Sequence, residues 1–454
     1  MAPSRSIDPL LLICALIVVA ALATWVVPAG RYERAPDART GQTMVVPGSY
    51  ERVPATPVGP WGVLLSIPQG LSGAAAVIFY VFLAGGALTI VEATGAIGNT
   101  LDLVVRRFGH RPSVVLLLVS SLFLVGGASY AMYEEVLAFI PVLCVLMRRL
   151  RLDNRMALGV SLGTTSVAAA FSPVNTFHLG ISQPMAELPL FSWFGFRVVM
   201  FALAMGIWLG YLLWVASRSR VAAAADGVEA EPEPAPLAAG GGGPRDVAVL
   251  AIMNAGMASL VVGAISWGWG LVEFSAVFVA VGFAAGLAGG LGWHRTAQQY
   301  AEGFRRLAFA AVLIGFARAI SVVLERGAIL DTMSRALFGP LQSLPHDGAA
   351  LMLFVSESLI SFPMPSDSGK AMITLPLMIP LADLLGLSRQ LAVNAYTYSG
   401  LVSNLVTPAA GSMLAMLALA DVPYGRWLRF VAPPLVLLFL LAAAAMAVGA
   451  RMGP

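Results

Sequence analysis

The chain has 454 residues, 58% of them hydrophobic and only 11% charged, with a mean hydropathy of +0.83, which excludes an ordinary water-soluble globular domain. Its net charge of +3 is too small, and its basic residues too dispersed in short flanking clusters, to serve a nucleic-acid partner. The two cysteines, Cys14 and Cys144, lie in apolar runs and read as core packing, not as a disulfide or metal framework.

Pro9 to Val27 is the first uncharged run able to cross roughly 30 Å of hydrocarbon. With many further spans behind it, it reads as a retained anchor and not as a cleaved signal. Arginine then accumulates at Arg106, Arg107, Arg111, Arg148, Arg149 and Arg151, the pattern of cytoplasmic loops. The 36 residues from Pro112 to Met147 therefore begin and end in the cytoplasm, interrupted by Gly126, Gly127 and the polar run Ser129 to Glu135. This predicts a re-entrant hairpin whose first arm, Pro112 to Gly127, is only about 24 Å long and stops inside the membrane.

The uncharged run Met156 to Ala186 contains Ser172-Pro173-Val174-Asn175-Thr176 and leads to an apolar span ending near Ser217. Proline removes a backbone donor and polar neighbours can satisfy the freed carbonyls, so the segment reads as a broken transmembrane helix, a frequent binding-site device. Arg218 to Arg245, rich in Ala, Gly, Pro and Glu, reads as a flexible cytoplasmic linker.

The second half repeats the first. Pro141 and Pro376, Ala157 and Ala392, Ser172 and Thr407, and Pro173 and Pro408 are each 235 residues apart. A one-residue shift aligns Pro189 with Pro423, Trp193 with Trp427 and Phe196 with Phe430, and upstream Gly95-Ala96-Ile97 matches Gly327-Ala328-Ile329. Spans at Val247 to Ser266 and Leu271 to Gly292 precede the repeated region, and Ala432 to Ala450 closes the chain. Counting crossings puts the second hairpin, Ala349 to Leu385, on the opposite membrane face from the first. The expected fold is an all-α polytopic membrane protein of two inverted repeats, each with a re-entrant helical hairpin and a broken transmembrane helix. The expected division is 1–216, a linker at 217–245, and 246–454. Gly282, Gly286 and Gly290 form a GxxxG series that predicts close helix packing.

The second tip reads Phe362-Pro363-Met364-Pro365-Ser366-Asp367-Ser368-Gly369-Lys370, and Lys370 is the only lysine in the chain. A compact cation at membrane depth can hold a substrate carboxylate or release a proton; the alternative is an internal ion pair with Asp367 or a helix-end anchor. Met364 and Ala371 stand where a phosphate-binding loop needs Gly and Ser/Thr, so a nucleotide site is excluded. The counterpart of Lys370 in the first tip is Glu135, beside Glu134; both are candidates for ion coupling or for a substrate ammonium, or else pair with Arg318 or Lys370. The breaks offer Ser172, Asn175 and Thr176 in one half and Ser403, Asn404 and Thr407 in the other. With Ser366, Asp367, Ser368 and Lys370 they make the predicted substrate-binding set. Glu92, Arg318 and Glu357 read either as a mutual ion pair or as direct participants, and His178 as a hydrogen-bonded structural residue. HExxH does not occur, and GxSxG occurs as Gly159-Val160-Ser161-Leu162-Gly163 only inside the uncharged run Met156 to Ala186, so the expectation is a transporter, with a channel or a substrate-sensing receptor as alternatives, and not an enzyme.

Glu134-Glu135, Ser172-Pro173, Pro365-Ser366-Asp367-Ser368-Gly369-Lys370-Ala371 and Thr407-Pro408 together resemble the C4-dicarboxylate anaerobic carrier family, in its YfcC-like members, within the ion transporter superfamily. Trp25-Val26-Val27-Pro28-Ala29-Gly30, Val45-Val46-Pro47-Gly48-Ser49-Tyr50 and Pro423-Tyr424-Gly425-Arg426-Trp427 are similar too. The resemblance implies a multi-pass homodimer of the bacterial inner membrane with a scaffold and a mobile transport domain, about 112–186 and 349–420, moving elevator-fashion. It implies a small carboxylate-bearing cargo, either an amino acid, as for the basic amino acid antiporter relatives, or a C4-dicarboxylate. No cofactor is implied, only sodium or proton coupling. One lysine against Glu134, Glu135 and Asp367 favours an amino acid. Ser172 stands where the family's Asn-Pro is expected.

Overall fold

The structure, a computed structural model, describes residues 9–36, 43–100, 111–225 and 243–452. Arg106, Arg107 and the linker stretch 226–242 lie outside them. In chain order the helices are α1 (Pro9–Val26), α2 (Pro60–Gly73), α3 (Ala75–Ala93), α4 (Pro112–Tyr130), α5 (Val136–Arg149), α6 (Asn154–Leu158), α7 (Thr164–Phe171), α8 (His178–Met185) and α9 (Phe194–Ala225). They continue with α10 (Pro244–Trp267), α11 (Leu271–Ala288), α12 (Gly292–Arg326), α13 (Leu330–Phe338), α14 (His346–Ile360), α15 (Asp367–Leu384), α16 (Arg389–Leu405), α17 (Gly411–Leu419) and α18 (Tyr424–Arg451). Seven helices among the described residues are long and apolar enough to cross a membrane, including Pro9–Val26, Gly292–Arg326 and Tyr424–Arg451.

Between α1 and α2 the chain forms two small antiparallel ribbons. In one, β1 (Gly30–Arg31) pairs with β4 (Glu51–Arg52); in the other, β2 (Arg34–Pro36) pairs with β3 (Thr43–Val45), with Arg34 opposite Val45. They are anchored on α13 through Asp331, which takes both Arg34 Nη2 bonds (3.0 and 3.1 Å) and the Tyr32 backbone N–H (3.0 Å).

One group of helices, α1, α2, α3 and α11, packs along the long α12. A second comprises α4, α7, α14, α15 and α16, with α9 against α7 and α18 against α14; α17 bridges to α12. Small residues set the closest approaches. A Cβ on Gly303 of α12 would lie 2.5 Å from the Gly86 Cα and 2.8 Å from the Gly85 carbonyl oxygen of α3, so those backbones touch. Gly303→Ala is expected to destabilise the detergent-purified protein by about 1–3 kcal/mol, because neither backbone can yield to the added methyl. An unchanged unfolding midpoint would show that α3 and α12 can separate freely. In the predicted GxxxG series Gly282 and Gly286 do pack, the first with its Cβ position 2.9 Å from Ala87 Cα. Gly290 instead turns the chain at φ +83.

The first arm is longer than the sequence indicates. Gly126 and Gly127 do not interrupt it, because α4 runs 19 residues to Tyr130, about 28 Å at 1.5 Å per residue. Gly127 is there for contact: a Cβ on it would stand 2.6 Å from the Thr165 carbonyl oxygen of α7. The helix stops at Ala131, which adopts φ 62. Between α6 and α7 the chain makes a π turn over Gly159–Gly163. The cause is Trp208 of α9, whose indole N–H bonds the Gly159 carbonyl (3.1 Å) and the Thr164 hydroxyl (3.2 Å), holding the turn wide.

Candidate functional site

The last carbonyls of a helix lack intrahelical partners, and both helix breaks supply them from side chains. At the first break Ser172 Oγ donates to Ala128 O (2.6 Å) and Asn175 Nδ2 to Gly127 O (2.8 Å); Thr176 donates through N and Oγ1 to Ser129 O (2.8 and 3.0 Å). Three consecutive carbonyls at the end of α4 are thereby satisfied. Asn175 Oδ1 in turn accepts from the N–H groups of Phe177 (3.0 Å) and His178 (2.7 Å), starting α8.

At the second break Thr407 Oγ1 donates to Phe362 O (2.5 Å), just beyond α14, and accepts from Ala409 N (3.2 Å). Ser172 does the same at the first break, accepting from Val174 N at 3.0 Å. The chain unwinds there only after Leu405, so Ser403 and Asn404 remain helical. The Leu405 and Val406 carbonyls go to Trp427 Nε1 (3.0 Å) and Tyr424 Oη (2.7 Å).

Tips and breaks meet. Tyr133 of the first tip donates its hydroxyl to Asn404 O (2.8 Å), and His178 at the first break is 3.1 Å through Nε2 from Asp367 Oδ2 at the second tip. Glu134 lies within electrostatic reach of Asp367.

Lys370, in the first turn of α15, is 0% exposed. Its ammonium donates to Ser361 Oγ and Ser399 Oγ, both at 2.7 Å, lies 3.8 Å from Glu357 and from Asp367, and sits over the Tyr396 ring at 5.2 Å. Glu357, also 0% exposed, accepts from Thr374 Oγ1 at 3.0 Å. All three ammonium donors therefore face protein groups, and the cation is held behind the tip. Ser366 caps α15 by accepting from Gly369 N (3.3 Å), while Ser368 and Gly369 are exposed and Asp367 is half-buried. Of the remaining predicted residues, Ser172, Asn175, Ser403, Asn404, Thr407 and Glu135 are buried, and Thr176 and Glu134 are half-buried.

The pairing of three charged residues differs from expectation. Glu92, Arg318 and Glu357 do not pair with one another: Arg306 takes Glu92 (2.8 Å), Arg318 takes Glu325 (3.3 Å), and Glu357 faces Lys370. Their apolar flanks marked them as intramembrane charges, but sequence spacing carries no register between helices.

A cavity of about 340 Å³ abuts the second tip at Pro363 and Met364 and is lined by Arg31, Arg34 and Arg318 with Glu325 and Asp331. None of the predicted substrate-binding residues lines it. Sequence reasoning missed the hydroxyls that hold Lys370, Ser361 and Ser399; their signal was only that they interrupt apolar helical faces. It also missed Arg197, buried in α9.

The family described as C4-dicarboxylate anaerobic carrier matches residues 8–450 of the chain. The "Putative basic amino acid antiporter YfcC" of Escherichia coli is 28% identical over 487 aligned positions, covering 98% of this chain and 96% of that protein. An uncharacterized protein of Haemophilus influenzae is 26% identical over 407 positions, 88% of this chain and 80% of its own. Among solved structures, the YdaH transporter of Alcanivorax borkumensis aligns over 98% of this chain and 100% of its own at 17% identity, with a TM-score of 0.45.

Proposed function

The chain belongs to the C4-dicarboxylate anaerobic carrier family, a family of membrane transporters and not of enzymes, and from that premise we propose that it is an elevator-type secondary active transporter of a small carboxylate-bearing solute in the bacterial inner membrane. The observation that carries the reading is the meeting of two helix–turn–helix tips with two helix breaks around a fully buried lysine. Such discontinuities leave half-helix ends and irregular backbone only where protein or a cavity surrounds them.

Two inverted repeats, each with a re-entrant hairpin and a broken helix, account for the duplicated details. Arg151 and Gly386, 235 residues apart, both take left-handed φ (58 and 66) at the end of a second arm. The bonds Leu152 N to Met147 O and Leu387 N to Ala382 O then recur at 2.8 Å. Ser172 and Thr407, at the same separation, carry the matched break bonds. The mobile body in this reading is 112–186 with 349–420, and α9 and α18, packed on its helices, ride with it. The helices around α12 form the scaffold of a homodimer.

Cargo binds at the half-exposed edge formed by Ser366, Asp367, Ser368 and the start of α15, which His178 of the first break meets through Asp367. Backbone N–H groups there suit a carboxylate, while Glu134 and Asp367 suit an ammonium, which favours an amino acid over a C4-dicarboxylate. Lys370 acts on the edge through Asp367, and Glu134 with Glu135 couples transport to sodium or protons. Purified protein in a thermal-shift screen is expected to be stabilised by basic or zwitterionic amino acids, since a ligand raises apparent stability by mass action. Saturable uptake of the same compound into proteoliposomes is expected to follow. Stabilisation by succinate or fumarate but by no amino acid would transfer the cargo assignment to dicarboxylates. Single-channel currents, or flux that never saturates, would replace the carrier with a channel.

A further inference from the structure

Arg197, in the first turn of α9, is 1% exposed, and none of its three side-chain nitrogens has a hydrogen-bond partner among the described residues. Its electrostatic neighbour is the Tyr398 hydroxyl. The nearby acids are engaged with other cations: Glu187 and Asp383 with Arg389 (2.9 and 2.8 Å), Glu357 and Asp367 with Lys370.

Tyr398 belongs to one side of α16. Gln390, Asn394 and Tyr398 follow at four-residue spacing and so share a face. They are 2%, 0% and 1% exposed, yet Gln390 Oε1, both Asn394 amide atoms and the Tyr398 hydroxyl lack partners among the described residues. Ser192, just ahead of α9, fixes the register by accepting from Gln390 Nε2. Phe171 stacks on the Tyr398 ring at 4.6 Å and Phe354 meets it edge-on at 6.5 Å, separating the cluster from the first break.

A buried guanidinium without countercharge is costly, and water can satisfy its N–H groups without supplying the missing charge. The face of α16 that carries Tyr398 offers two unpartnered donors, the Asn394 amide and the Tyr398 hydroxyl, that an anion can share with the guanidinium in charge-assisted bonds. We propose that Arg197, Asn394 and Tyr398 form a buried site for a small monovalent anion of the halide class. The ring stack and complete burial suit a monatomic ion better than a substrate carboxylate, so the site is structural and distinct from the tips.

Full-length protein in detergent, melted in sodium chloride and in sodium gluconate of equal ionic strength, is the test. Chloride and bromide are expected to raise the melting temperature saturably, and Arg197→Met to abolish that dependence. Tyr398→Phe is expected to weaken the apparent halide affinity at least about tenfold, the loss of one hydrogen bond to a charged group. Should Arg197→Met not fold, Asn394→Leu and Tyr398→Phe carry the same readout. Equal melting in chloride and gluconate, or a halide titration identical in wild type, Asn394→Leu and Tyr398→Phe, overturns the proposal.

Discussion

Lys370→Met is expected to abolish uptake and also to destabilise the protein by about 3–5 kcal/mol, because it leaves Glu357, 0% exposed, without its cation. From the sequence alone this variant is expected to fold and insert normally. The burial of both partners argues otherwise, since breaking a buried pair strands a charge that water cannot reach. The double substitution Lys370→Met with Glu357→Gln removes the stranded charge and is expected to recover most of the stability while uptake stays below about 1% of wild type, a barrier change of roughly 3 kcal/mol. Stability is read by chemical denaturation in detergent and uptake in proteoliposomes. Near-normal uptake in the single variant would remove Lys370 from the mechanism. Uptake restored in the double would make it purely structural. Lys370→Arg is expected not to restore full uptake, because a planar guanidinium does not fit two hydroxyls placed at 2.7 Å from a point-like ammonium.

Asp367→Asn probes the edge and not the buried pair. The substitution is nearly isosteric and leaves Lys370 with Glu357, Ser361 and Ser399, so the loss of stability is expected to be smaller than in Lys370→Met, no more than about 3 kcal/mol. It discharges the group that accepts from His178 at 3.1 Å and faces Lys370 at 3.8 Å. A hydrogen bond to a charged group contributes about 1.5–3 kcal/mol, so uptake is expected to fall roughly 10- to 100-fold. His178→Gln should produce a smaller loss in the same direction. Unchanged uptake in Asp367→Asn would reduce the link between the first break and the second tip to packing.

The two tips and two breaks were legible because proline, glycine and clustered hydroxyls have local consequences for the backbone. Pro173 and Pro408 end helices in the structure within a residue or two of where sequence reasoning placed the breaks. Lys370 stood out through composition alone. Its partners did not: Asp367 was foreseeable from spacing, but Glu357 and Ser399 come from neighbouring helices whose register depends on tertiary packing. Gly127 shows the same limit in reverse, since a glycine required for contact with α7 looks from sequence like a helix interruption. Arg197 escaped notice because a lone arginine near the start of an apolar span ordinarily snorkels to the interface. Only burial distinguishes it.

The placement of Glu357 and Lys370 in the two arms of one hairpin also bears on biogenesis. They are thirteen residues apart, so the emerging polypeptide can neutralise both charges within a single segment before it is released laterally into lipid. Asp367 differs, because its partner His178 belongs to the half synthesised earlier. A ribosome-bound chain truncated soon after α15 should therefore already hold the Glu357–Lys370 pair, whereas the Asp367–His178 contact forms only where the amino-terminal half has docked.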